Sequence, residues 1–135
     1  MVTWNNLNTL ASFQALSETE RVDLVSAMTG ENGAERVKNY SIPMAAGLAY
    51  NYAAKQVDEK VLDALVKLAE EAQLGEKFAA LYNGEVINTG EKRLVLHHMT
   101  RGQLGEAVEA DGVDKRAFYV EQQERIIEVI RSCFE

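Results

Sequence analysis

Cysteine is almost missing from this chain. Cys133 is its single thiol, so an internal disulfide and a Cys-x-x-Cys metal knuckle are both excluded. Proline is as scarce, with Pro43 standing alone, and no proline-rich linker divides the chain. Histidine occurs only as the pair His97-His98. Neighbours on a helix point about 100° apart, so this pair cannot converge on a metal without a third ligand. Positive charge is also short. Fourteen Lys and Arg against 21 Asp and Glu leave a net charge of −7, which excludes a general nucleic-acid surface, because phosphate binding needs concentrated cations. No run approaches the roughly 20 apolar residues of a membrane span. Met1-Val2-Thr3-Trp4 does not begin like a signal peptide. The expected compartment is the cytoplasm.

The residues present suit an ordered, mostly α (α+β) domain of 135 residues, 47% of them hydrophobic. Trp4, Leu7, Leu10 and Phe13 have helical spacing. Ser17-Glu18-Thr19-Glu20 has the form of a capping box for a helix through Val22, Leu24, Val25 and Met28 to Gly30. Another short turn is expected from Ala34 to Tyr40, and Pro43 forces a break. Alternation at Leu48, Tyr50 and Tyr52 predicts a short strand with both tyrosines on one face. Asp58 caps the strongest helix, Glu59 to about Gln73, whose apolar face includes Val61, Leu65 and Leu68. A short helix from Glu76 to Tyr82 should turn Phe78, Leu81 and Tyr82 inward. Asp111-Gly112 predicts a small hairpin. A last helix, Lys115 to Ser132, carries Tyr119, Ile126, Ile127, Ile130 and Phe134 as a stripe, with Cys133 expected in the core.

The stretch from Tyr82 to Arg101 is the most specific. Asn83-Gly84 suits a helix end and a reversal. Asn88 or Thr89 is then expected to cap a second helix with Glu91 in its first turn, placing Arg93, His97 and Arg101 on one face at four-residue steps. Such a basic face has a plain reading, an ordinary solvated surface paired with Glu85 or Glu91.

The same stretch resembles the N-terminal signature of the glucose-6-phosphate isomerase family. Gly84, Glu85, Ile87, Asn88, Glu91, Arg93, Val95, Leu96, His97 and Arg101 match it without a gap. Gly90 replaces the capping Thr of that pattern, and Val86 replaces a Lys. Upstream, Tyr52, Val57 and Glu59 agree with a second landmark of the family, at the right distance. The resemblance implies residues 1–135 as a single N-terminal domain, helical with one or two short strands or a small hairpin. The later sugar-phosphate-binding domains of that family are absent from this stretch, and the end at Glu135 looks like a boundary. The implied parent is an isomerase of glycolysis and gluconeogenesis, which interconverts glucose 6-phosphate and fructose 6-phosphate by proton transfer without a cofactor.

The family's catalytic groups lie in its later domains, and no Gly-Gly-Ser phosphate loop occurs here, so no catalytic, substrate-binding or metal role carries over to any residue. Arg93, His97 and Arg101 are left as a candidate docking face or active-site wall. The expected partners are the remaining domains of the enzyme and a second copy of the chain, with sugar phosphate bound only by the full-length protein. A free-standing helical protein-interaction module is the competing reading.

Overall fold

The computed structural model describes residues 2–102 and 105–134, so the boundary expected at Glu135 lies outside the described residues. Two compact units form, Trp4–Ala72 and Gln73–Glu135 with the first three residues. The described elements are helices with short antiparallel hairpins, the mostly helical α+β class that the sequence predicts.

In the unit Trp4–Ala72, the first amphipathic segment is divided. A single 3-10 turn at Leu7–Thr9 precedes helix α1, Ala11–Ser17. The capping box is not used, because Ser17 closes α1 by donating its hydroxyl to the Gln14 carbonyl at 2.7 Å. Helix α2, Leu24–Thr29, takes its cap from Asp23, which accepts from the amides of Val25 and Ser26 at 3.0 and 3.3 Å. A carboxylate adjacent to the helix start wins over the Ser17 hydroxyl six residues upstream. Helix α3 is Gly33–Asn39. Strands β1, Ser41–Pro43, and β2, Ala49–Asn51, pair with Ile42 opposite Tyr50 and Pro43 opposite Ala49. Pro43 is thus the last residue of β1, four residues past the end of α3, and a proline is tolerated there because the strand is at a sheet edge. Helix α4, Glu59–Glu71, packs on α1 and is capped as predicted, with Asp58 accepting from Val61 N at 2.8 Å.

Arg36 holds this unit's loop in place. It is 9% exposed and lies 4.1 Å from the centre of the Tyr40 ring. Its Nε donates to the Ala53 carbonyl at 2.8 Å, and one Nη to the carbonyls of Lys55 and Val57 at 3.0 and 2.7 Å. The planar fork of donors thus fixes the segment that delivers the chain into α4.

In the second unit, helix α5 spans Leu74–Tyr82. It ends as Asn83-Gly84 predicts, with Gly84 at φ +69° and Glu85 N donating to the Ala80 carbonyl. Phe78 faces outward at 57% exposure, contrary to expectation. The helix predicted from Asn88 to Arg101 does not form. Strands β3, Val86–Asn88, and β4, Arg93–Leu94, make a hairpin instead, followed by a 3-10 turn at His97–Thr100. Asn88 does accept from Glu91 N, at 3.1 Å, and its amide meets the Glu91 carboxylate. Those bonds close a turn rather than start a helix. Val86 pairs with Leu94 instead, Val86 and Ile87 favour extended backbone, and Lys92 in the turn takes φ +54°, a left-handed conformation incompatible with a continuing helix.

The Asp111-Gly112 turn appears as predicted, both residues at positive φ, between β5, Glu109–Ala110, and β6, Val113–Asp114. Helix α6 is Lys115–Ser132, capped by Asp114. Cys133 beyond it is exposed rather than in the core.

Candidate functional site

The three predicted site residues, Arg93, His97 and Arg101, do not share a helix face. Arg93 is in β4, with a side chain 76% exposed and its Nε 3.8 Å from a Glu91 carboxylate oxygen. His97 opens the 3-10 turn and Arg101 follows it, both exposed. The structure brings His97 and Arg101 together in a pocket of about 320 Å³ that is also lined by Tyr82, His98 and Gly102; Arg93 is outside this lining.

The floor of this pocket is built from both sides. From α5 comes Tyr82, whose ring lies 4.7 Å from the imidazole of His98. From the 3-10 turn come His97 and His98, held because Met99 of the same turn is completely buried. Gln123 of α6 donates to the Thr100 carbonyl at 2.7 Å and ties the turn down. Both ring nitrogens of His98 are buried and have no hydrogen-bond partner among the described residues. A polar group so placed is costly unless something supplies a partner. One guanidinium and two imidazoles can receive a carboxylate, a phosphate or a carbonyl. No carboxylate is among the described residues that line the pocket, and its imidazoles are the groups able to accept a proton. Among the described residues, no three His, Cys, Asp or Glu are grouped to hold a metal.

The pocket's frame depends on a second buried arginine. Arg116, at the start of α6, is 6% exposed; its Nε donates to the Glu106 carbonyl and an Nη to the Tyr82 carbonyl. Gly84 allows this close packing, since a Cβ there would stand 2.2 Å from a Val108 methyl. Sequence reading missed Arg36 and Arg116, because a buried arginine has no local pattern that separates it from a surface one. It also set His98 aside with the rejected metal pair, although His98 is the more enclosed histidine.

Comparison with known proteins gives one consistent family. Residues 51–133 match phosphoglucose isomerase. The chain is 45% identical over 130 residues to a glucose-6-phosphate isomerase of Treponema denticola, covering 93% of this chain and 25% of that relative. It is 40% identical over 136 residues to the one from Treponema pallidum strain Nichols, covering 98% and 25%. A third, from Shewanella woodyi, is 39% identical over 102 residues, covering 76% and 18%. The chain thus spans about a quarter, or less, of the length of these relatives. Among the described residues, no helix is long and apolar enough to cross a membrane.

Proposed function

Because this chain belongs to the phosphoglucose isomerase family, we propose that it forms the N-terminal domain of a glucose-6-phosphate isomerase and is inactive alone. The observation that carries this reading is the coverage: nearly the whole chain aligns with a quarter of each treponemal relative. The activity proposed for the full-length enzyme is the aldose–ketose interconversion of glucose 6-phosphate and fructose 6-phosphate, in the cytoplasm and without a metal or nucleotide. That chemistry needs a base, a ring-opening group and a phosphate pocket. The chain's role is to support and dock the domains that supply them.

Within this reading His97 and Arg101 belong to the docking face, together with His98, while Arg93 serves the hairpin's exposed edge. A carboxylate or main-chain carbonyl from a later domain would meet the exposed His97 and the Arg101 charge. The competing module reading draws its support from the exposed apolar residues of α6.

Two measurements test the proposal. Purified chain is given fructose 6-phosphate in a coupled dehydrogenase assay, and the expected rate equals that of a mock preparation; turnover that scales with protein concentration overturns the inactivity. The chain is also exchanged for the matching quarter of the Treponema denticola enzyme, and the chimera is expected to isomerise its sugar phosphate. A folded chimera with no activity would overturn the assignment and favour the module. In the active chimera, Arg101→Met should lower activity more than Arg93→Met.

A further inference from the structure

Glycine follows an Asn or Asp at three places, Asn32-Gly33, Asn83-Gly84 and Asp111-Gly112. At each, the main-chain nitrogen of the glycine can attack the side-chain carbonyl carbon before it, since glycine has no Cβ to block the approach. Closing that five-membered ring turns ψ of the Asn or Asp to about −120°, the value at the first central position of a type II′ turn, where φ is positive. The step therefore depends on whether the surrounding chain lets that peptide rotate.

At the two asparagines it does not. ψ is 7° at Asn32 and 1° at Asn83. The Gly33 amide donates to the Gly30 carbonyl at 3.0 Å, and a Cβ on Gly33 would stand 2.1 Å from the Met28 carbonyl oxygen. The Gly84 amide donates to the Leu81 carbonyl at 3.2 Å, and Gly84 is wedged against Val108. Rotating either peptide breaks that bond, beside a neighbour too close for even an added carbon. Asp111-Gly112 differs on each count. Asp111 already has φ +55°, and its side chain is 93% exposed. Gly112 has nothing within 4 Å of an added Cβ, and its amide has no hydrogen-bond partner among the described residues. With φ positive at both residues the turn is type I′. A flip of its central peptide makes it type II′, the other turn that closes a two-residue hairpin, so Ala110 stays paired with Val113. Gly112 accepts either sign of φ.

We propose that Asp111-Gly112 is a modification site, at which the folded chain converts aspartate to isoaspartate through a cyclic imide. The Gly112 nitrogen bonds to Cγ of Asp111 as the Cγ–OH bond of the protonated carboxyl breaks. That hydroxyl leaves as water, taking up the amide proton. Water then adds to one of the two imide carbonyls. Release of the nitrogen from Cγ restores aspartate. Release from the main-chain carbonyl carbon leaves Gly112 linked through Cγ, which adds a methylene to the loop just ahead of Asp114, the cap of α6. Water is the only co-reactant, and the proposal is independent of the isomerase reading.

Purified chain is incubated at neutral pH, folded and in urea, and its peptides are mapped by chromatography and electron-transfer fragmentation, which separate isoaspartate from aspartate. In the folded chain isoaspartate should build up at residue 111 while Asn32 and Asn83 keep their amides. In urea both asparagines should react at least about tenfold faster than when folded, because no local opening is then needed to free the glycine amide. The diagnostic variant is Asp111→Asn, which gives all three steps the same chemistry and keeps a good hairpin turn. Folded, it should lose the amide at 111 at least about tenfold faster than those at 32 and 83. An Asp111 that stays α-linked in the folded chain, through an incubation long enough to isomerise it in urea, overturns the proposal. So does a folded Asp111→Asn chain that loses its three amides at equal rates.

Discussion

Replacing Arg36 by methionine keeps most of the side chain's length and apolar stem but removes five N–H donors and the charge. Three carbonyls then lose their partner: Ala53, Lys55 and Val57, at 2.8, 3.0 and 2.7 Å. The bond to Ala53 is buried, whereas the other two are partly buried and can be rehydrated in part. A hydrogen bond from a charged donor contributes roughly 1.5–3 kcal/mol net, and a buried acceptor left unpaired costs about as much. One full loss with two partial ones gives about 3–5 kcal/mol. That is a large fraction of the roughly 5–15 kcal/mol that holds a domain together. Urea denaturation is followed by far-UV circular dichroism and by the fluorescence of Trp4, the chain's single tryptophan, which lies in the same unit. With a slope of about 1–3 kcal/mol per molar urea, the midpoint should fall by more than about 1 M. Arg36→Lys should land between, because one ammonium cannot span three carbonyls. Arg93→Met is the matched control: it removes an exposed arginine whose nearest carboxylate is 3.8 Å away, and should cost under about 0.5 kcal/mol. Equal shifts for the two methionine variants would refute the idea that Arg36 anchors the Ala53–Val57 loop.

Two more outcomes follow from backbone and charge. Gly84→Ala must adopt φ +69° and place a Cβ 2.2 Å from a Val108 methyl, so a thermal melt should show a loss of about 2 kcal/mol or more; Gly75→Ala, in α5 with no atom within 4 Å of its added carbon, should be neutral or slightly stabilising. The Ser12 and Ala11 amides, donating at 2.8 and 3.3 Å, hold the Glu71 carboxyl below its ordinary 4.5, and the Ser26 hydroxyl and the Ser26 and Val25 amides hold Asp23 below 3.8. Both groups bind protons more readily when unfolded, so their stabilisation is present above those ordinary values and is lost as pH falls through the lowered ones. The melting temperature should therefore drop on the acid side, less steeply in Glu71→Gln; acid limbs of equal slope would refute the contribution of Glu71.

The sequence alone determined what depends on near neighbours. Asp58 and the apolar spacing after it specify α4, Asp111-Gly112 specifies its hairpin, and α6 begins and ends where its periodicity says. The turn at Asn83-Gly84 and the family signature were legible for the same reason: each is a short-range pattern of backbone preferences and residue types. The tertiary structure decided the rest. Asn88 and Glu91 make the bonds expected of a cap, yet pairing between Val86 and Leu94 turns them into a hairpin closure and separates Arg93 from His97 and Arg101. Nothing within one turn of Arg36 or Arg116 distinguishes them from surface arginines; burial comes from carbonyls 17 to 21 residues away for Arg36, and as far as 34 away for Arg116. The stripe on α6 was readable as apolar, but whether it faced inward was not. A helix's own residues fix which side chains share a face, while the chain packed against that face fixes whether it is core or surface.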